Sequence, residues 1–362
     1  MTAMAVAVGL WVAPVQAVDP VRLSGDGRGF VLGDSDRPFR IWGVNYDHDA
    51  TAASRLLEDY WEEEWETVCR DLEEIRELGA NVVRIHLQFG KFMESTNTPN
   101  AAALARLSRL IDLAEEKGLY LNLTGLGCYH RRDVPDWYDA LDEADRWEAQ
   151  AVFWRAIARV GRGRAAVFCY DLMNEPVVGG NEAGGWLAGE FGGKHLVQRL
   201  TLKQGGRPAT EIARAWVAKL TGAIREQDPD TLMTVGVIPW AMTWPNARPV
   251  FYSPEVAALL DFVSVHFYPK VGEVDQALEA LRVYDIGKPL VIEELFPLRC
   301  AQREMEDFIR RSEETAEGWI SFYWGRTIEE YEAQADATMA DAIMVRWLRY
   351  FREAAPRYRQ PQ

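Results

Sequence analysis

The sequence predicts an α/β protein folded as a (β/α)8 TIM barrel with a short N-terminal β-hairpin. Three observations predict it: eight short apolar runs of strand character, amphipathic helical stripes between them, and the absence of a glycine-rich nucleotide fingerprint after any strand. Strands that alternate with helices impose a parallel sheet, because the chain must cross back over the sheet before it can pair in the same direction again. Eight such units in 362 residues fit a closed barrel better than an open doubly wound sheet, which uses fewer strands.

Taken in order, residues 1–17 form an apolar run ending in Val15-Gln16-Ala17, a small-residue pattern suited to signal-peptidase cleavage. The expected location is therefore secreted or periplasmic, with residues 18–362 forming a single barrel domain. Phe30-Val31-Leu32 and Phe39-Arg40-Ile41-Trp42 flank the turn-rich Gly33-Asp34-Ser35-Asp36 and read as a hairpin placed to cap the lower end of the barrel. The barrel strands are expected at 41–45, 82–87, 119–124, 166–173, 232–238, 262–267, 290–294 and 319–324. Between them, core-facing helical stripes recur at Trp61, Trp65, Val68, Leu72, Ile75 and Leu78, and at Leu104, Leu107, Ile111 and Ala114. Two more follow at Ile212, Ala215, Trp216, Leu220 and Ile224, and at Met339, Ile343, Trp347 and Phe351. After Pro176 a long glycine-bearing connection runs to about Thr210. It leaves the C-terminal end of the fourth strand, so it is expected to overhang the barrel mouth, with Trp186 and Phe191 as pocket-lining candidates.

Composition narrows the function. A formal charge of -15 repels phosphate backbones and anionic lipid, so nucleic acid and membrane partners are not expected once the leader is removed. Cys69, Cys128, Cys169 and Cys300 are scattered without C-x-x-C spacing, and no His or Cys cluster has metal spacing, so neither a metal nor a cofactor is expected. The 14 Trp and 13 Tyr are compatible with stacking on sugar rings as well as with core filling. Oligomeric state is not legible.

The chemistry concentrates at strand ends. Asp171-Leu172-Met173-Asn174-Glu175-Pro176 is an apolar strand ending in an amide, a carboxylate and a proline, which puts Glu175 at the barrel mouth. Lys288-Pro289-Leu290-Val291-Ile292-Glu293-Glu294 supplies a second carboxylate, and strand alternation lets only one of Glu293 and Glu294 face the mouth. Retaining glycoside hydrolysis needs two carboxyl groups roughly 5 Å apart, one protonated to assist the leaving oxygen and one ionised to attack. Asn174 is a candidate to hold a sugar 2-hydroxyl, and His266 and Tyr268 share one face of the sixth strand. Trp240 and Trp244, after the fifth strand, either stack on sugars or pack their loop; Asp47, His48 and Asp49 either reach the mouth or form a solvated loop.

The Asn-Glu-Pro strand, the His-x-Tyr strand and the Pro-x-x-x-x-Glu strand together resemble glycoside hydrolase family 5, the cellulase and mannanase family, over most of the chain. The resemblance implies Glu175 as acid/base and Glu294 as nucleophile, acting on β-linked glucan- or mannan-type poly- or oligosaccharides. It implies Arg84 as the family's second-strand arginine and Trp324 as the eighth-strand tryptophan that floors the cleaved sugar's subsite. One departure stands out: Thr124 occupies the place of a third-strand histidine, so either His86 or His130 takes over its hydrogen bond or the sugar is presented differently. A non-catalytic carbohydrate-binding barrel and a transglycosylase are the competing functions.

Overall fold

The computed structural model describes residues 18–35, 37–48, 55–179 and 184–359; the expected leader at 1–17, Asp36, Asp49 and Gly180 lie outside the described residues. The barrel strands are Ile41–Tyr46, Val82–Gln88, Tyr120–Gly127, Val167–Asp171, the pair Leu232–Thr234 and Gly236–Val237, Val263–Phe267, Leu290–Leu295 and Gly318–Trp324. Neighbours pair in parallel, and the eighth strand returns to the first through Gly318 opposite Ile41. Such strands are buried on both faces, which explains why they read as near-continuous apolar runs rather than alternating ones.

The fifth strand departs from the expected continuous run. Leu232–Thr234 pairs with the fourth strand and Gly236–Val237 with the sixth, so the barrel closes across a break at Val235. Beneath the barrel, Val21–Leu23, Phe30–Leu32 and Arg37–Phe39 form an antiparallel three-stranded sheet, one strand more than the expected hairpin. Its Phe30 ring meets Phe168 at 5.4 Å and Phe262 at 5.3 Å, plugging the lower end with edge-to-face contacts.

Helices pack outside through the expected stripes. Trp65–Leu78 buries Trp65, Val68, Leu72, Ile75 and Leu78, then stops at Gly79, whose φ of 100° suits only glycine. Two expectations need correction. Ala215 faces solvent beside the buried Trp216 and Val217. In Met339–Tyr358 the first turn overshoots the barrel wall, leaving Met339 and Ile343 exposed, while the stripe begins at Met344 and continues through Trp347, Leu348 and Phe351.

The long connection after Pro176 contains strands of its own. Lys194–Arg199 pairs with Leu187–Phe191 in antiparallel fashion and with Pro176–Val177 in parallel. The hairpin turns at Gly192 and Gly193, whose φ values of 56° and 76° are the positive pair that a two-residue type I′ turn requires.

Candidate active site

Polar side chains enter the barrel just below its mouth and organise around Arg84, which is fully buried. Its guanidinium donates through Nη1 to Glu294 Oε1 at 2.7 Å and Asn45 Oδ1 at 3.0 Å, and through Nη2 to Asp171 Oδ2 at 2.8 Å and Asn174 Oδ1 at 2.9 Å. Nε lies 3.6 Å from Glu293 Oε1. A planar fork with several fixed donors can serve three carboxylates from two strands at once, which a lysine cannot. Burial and the charge of Glu293 push the Asp171 carboxyl up to about 6, against the pull of Arg84. Asp171 Oδ1 accepts from the Gly236 amide at 2.8 Å, and the Thr124 hydroxyl donates to Oδ2 at 2.9 Å. Burial works against ionised Glu293 as well, but Arg84, His266 and the Asn122 amide outweigh it and hold that carboxyl below its usual range.

Above this layer sit Glu175 and Glu294. Glu175 follows the fourth strand in a left-handed conformation, φ 46°, and its amide donates to Gly236 O at 2.9 Å. The break in the fifth strand thus frees both peptide groups of Gly236, one for Asp171 and one for Glu175. His266 Nδ1 donates to Glu175 Oε1 at 2.9 Å and lies 3.4 Å from Glu294 Oε2, while Nε2 lies 3.6 Å from Glu293 Oε2. Burial opposes a proton on this ring, but Glu294, Glu175 and Glu293 around it raise its pKa to about 10. The Tyr268 hydroxyl donates to Glu294 Oε2 at 2.8 Å. One oxygen of Glu294 therefore faces Arg84 and the other faces Tyr268.

Ligand atoms of Glu175, His266 and Glu294 all lie within 4.8 Å of one another. This is the trio among the described residues with the proximity to hold a cation. An imidazolium at His266 carries a hydrogen on each nitrogen, so it offers no lone pair and itself supplies the positive charge between the carboxylates.

Glu175 and Glu294 open into a cavity of about 260 Å³. His86 reaches it, with Nε2 3.0 Å from Asn45 Oδ1 and Nδ1 bonded to the Tyr129 hydroxyl. Because Arg84 already donates to that Asn45 oxygen, Nε2 carries the hydrogen and Nδ1 accepts from Tyr129. Burial, with Arg84 and His266 nearby, holds the His86 pKa well below its usual value, so the ring is neutral. The hairpin roofs the cavity with Phe191, Lys194 and Leu196. It is tied down where the Asn174 amide donates to Leu196 O at 2.8 Å and where the His195 amide donates to Tyr129 O at 2.7 Å.

A family model for cellulase, glycosyl hydrolase family 5, matches residues 43–342. The chain belongs to glycosyl hydrolase family 5. Its fold resembles those of several solved structures. The exo-β-1,4-mannosidase of Opitutaceae bacterium strain TAV5 superposes with a TM-score of 0.67 at 17% identity, covering 93% of this chain and 62% of that one, so this chain spans under two thirds of that protein's length. The β-mannanase of the blue mussel Mytilus edulis gives 0.63 at 14% identity, covering 96% and 99%. The catalytic domain of the Thermobifida fusca endoglucanase gives 0.59 at 17% identity, covering 92% and 97%. No protein of curated function matches the sequence closely enough to count as a relative.

Within this family 5 barrel, Glu175, Glu294, Arg84, Asn174, His266, Tyr268 and His86 converge as one constellation, and two expected residues do not join it. Trp324 is buried at 1% exposure against Tyr46 and His48 and does not line the cavity. The cause is a register slip: Ser321 pairs with Val44 but Trp324 with Tyr46, so one extra residue turns Trp324 outward and leaves Phe322 and Tyr323 at the cavity wall. Trp240 stacks on Trp244 at 5.3 Å and lines a separate cavity of about 240 Å³ beyond Pro176. Trp186 is buried over Arg146, and His130 is buried outside the cavity lining. Thr124 is likewise buried, serving Asp171 rather than the cavity.

Sequence reasoning missed Asn45, Gln88, Tyr129, Lys194 and Phe322, which line the cavity, and the supporting Gly236. A signal for Gly236 existed, since a glycine inside an apolar strand marks a close approach. A Cβ there would stand 2.5 Å from Glu293 Oε2 and 2.8 Å from His266 Nε2.

Proposed function

We propose that the protein is a retaining β-glycosidase acting at the non-reducing ends of β-1,4-linked manno- or gluco-oligosaccharides. The observation that carries the reading is that one oxygen of Glu175 and one of Glu294 lie within 4.8 Å, in keeping with the spacing of about 5 Å used in double displacement rather than the wider gap of direct inversion. Glu294 attacks the anomeric carbon while Glu175 protonates the departing oxygen. Glu175 then takes a proton from water as that water opens the glycosyl-enzyme, and the anomeric configuration is retained. Arg84 and Tyr268 fix one Glu294 oxygen each, so the nucleophile meets the substrate in a set orientation.

The direction of the substrate follows from where the two carboxylates lead. From Glu175 and Glu294 the cavity extends over the ends of the first, second and eighth strands, where the hairpin covers it, whereas the chain beyond Glu175 runs to the cavity of Trp240. The acid must reach the leaving oxygen, so the leaving group passes over Glu175 and the sugar being attacked occupies the side under the hairpin. The hairpin over that side, with Phe191, Lys194 and Leu196 in the lining, supports chain-end action. The apolar leader at 1–17 takes the protein out of the cytoplasm, to where such glycans lie.

Replacing each acid tests the roles separately. Glu294→Gln should abolish turnover of every glycoside. Glu175→Gln should slow substrates with poor leaving groups by about 100- to 10,000-fold, while the glycosylation step of a dinitrophenyl glycoside, which needs no acid, is spared. Nuclear magnetic resonance of the first-formed anomer should show β product. Initial α product, or normal turnover by either variant, removes the assignment.

A further inference from the structure

The cavity that holds Glu175 and Glu294 is not the only chamber at the mouth. A polar chamber of about 360 Å³ lies against it, bounded by Arg326 and Asp341. Asp47, Lys194 and Tyr323 line both chambers. Across this shared wall Lys194 Nζ meets Asp47 Oδ2 at 2.6 Å, with both side chains mostly covered, at 21% and 34% exposure. Neither residue stands on a free-moving base. The Asp47 amide donates to Trp324 O at 3.2 Å, and Lys194 follows the Gly192–Gly193 turn of the clamped hairpin.

We propose that the Asp47–Lys194 ion pair, seated beside Tyr323, is the partition that decides how many sugar units the site accepts. The inference rests on the chain-end reading above. A neutral sugar has no charge with which to displace either partner, so a chain extending from the inner cavity toward the outer one meets the paired side chains. The pair also suits the end of a chain chemically. Lys194 keeps two ammonium hydrogens beyond the one given to Asp47, and Asp47 keeps acceptor capacity, a donor and an acceptor side by side for neighbouring ring hydroxyls. Removing either partner joins the inner chamber to the outer one, whose Arg326 and Asp341 offer further hydrogen bonds to a second sugar.

The test uses the full-length protein with reducing-end-labelled β-1,4-manno- and gluco-oligosaccharides of up to six units, and reads which bond is cut first. The wild type should release single units from the non-reducing end. In Lys194→Ala and Asp47→Ala the first cut should move inward by one unit or more, raising the ratio of internal to terminal cleavage by about tenfold or above, the scale of a changed pocket contact. Lys194→Arg, which preserves the pair, should keep the wild-type pattern. Terminal cleavage by the wild type with an unchanged ratio in both alanine variants overturns the partition alone. Internal cleavage by the wild type overturns the chain-end reading and the partition with it. Because the two alanine variants act at opposite ends of one contact, failure of either to fold leaves the other as the measurement.

Discussion

Tyr268→Phe removes one hydroxyl from Glu294, the proposed nucleophile, and nothing else, and its effect can be worked through step by step. The lost bond is 2.8 Å long, part-buried, and made to a carboxylate oxygen. Bonds of this kind contribute about 1.5–3 kcal/mol. At about 1.4 kcal/mol per tenfold change in rate, that is a factor of about 10 to 150 if the whole bond is realised in the limiting step. The two steps of the proposed double displacement use it unequally. In the first, Glu294 loses its charge as it bonds to the sugar, so the hydrogen bond weakens toward the transition state. In the second, Glu294 leaves as a carboxylate and the bond strengthens, so deglycosylation suffers more. The fold should hold, because Glu294 retains Arg84 at 2.7 Å on Oε1 and His266 at 3.4 Å from Oε2, and phenylalanine leaves no orphaned donor. Stopped-flow turnover of dinitrophenyl β-mannoside and β-glucoside should show a burst of one equivalent, then a steady rate about tenfold or more below wild type with a lowered KM. A steady rate within about twofold of wild type, with no burst, would refute the reasoning that Tyr268 supports the departing carboxylate.

Gly236→Ala should cost about 1–3 kcal/mol of stability by overpacking, since its Cβ would stand 2.5 Å from Glu293 Oε2. By displacing His266 from Glu175 it should also lower kcat by about 100-fold; thermal melts and kinetics together check both. Glu58 accepts from the Gln88 amide at 2.7 Å while its other oxygen is buried without a partner, and burial raises its pKa to about 7. A raised carboxyl pKa penalises the folded state as pH rises from the ordinary carboxylate range through 7. Glu58→Gln should therefore stabilise the protein by about 2 kcal/mol at pH 8 but much less near pH 5, measured by urea melts at both. For His266, raised to about 10, the sign is opposite in benefit. Its contribution to stability is fully present below its unfolded value near 6.5, declines above it, and is gone once pH passes about 10. Urea melts across that window should fall more steeply for wild type than for His266→Gln, and parallel curves would count against a charged ring.

Much of this site was legible in the sequence because barrel geometry converts a strand end into an address. Any chain that ends an apolar strand in Asn-Glu-Pro or Glu-Glu delivers a carboxylate to the mouth, and His266 and Tyr268 follow from alternation alone. What alternation could not foresee is where it lapses. The slip between Ser321 and Trp324 exchanges the expected tryptophan for Phe322 and Tyr323, and the break at Val235 turns Gly236 into a bracket for Asp171 and Glu175. The connection after Pro176 read as a loop because its glycines dominate. Gly192-Gly193 between two strand-forming runs was nevertheless a hairpin signal, and Lys194 acquires its place only once that hairpin folds over Asp47. Trp240, which the sequence left open between stacking on a sugar and packing its loop, stacks on Trp244 and lines a separate cavity beyond Glu175.

The most direct test of the central claim is to trap the covalent intermediate. Incubation with 2-deoxy-2-fluoro-β-mannosyl and β-glucosyl fluorides, followed by digestion and mass spectrometry, should add one fluorosugar to the protein and locate it on Glu294. Labelling of the neighbouring Glu293, or continued hydrolysis of these fluorides through an inverted first product with no adduct, would contradict the account.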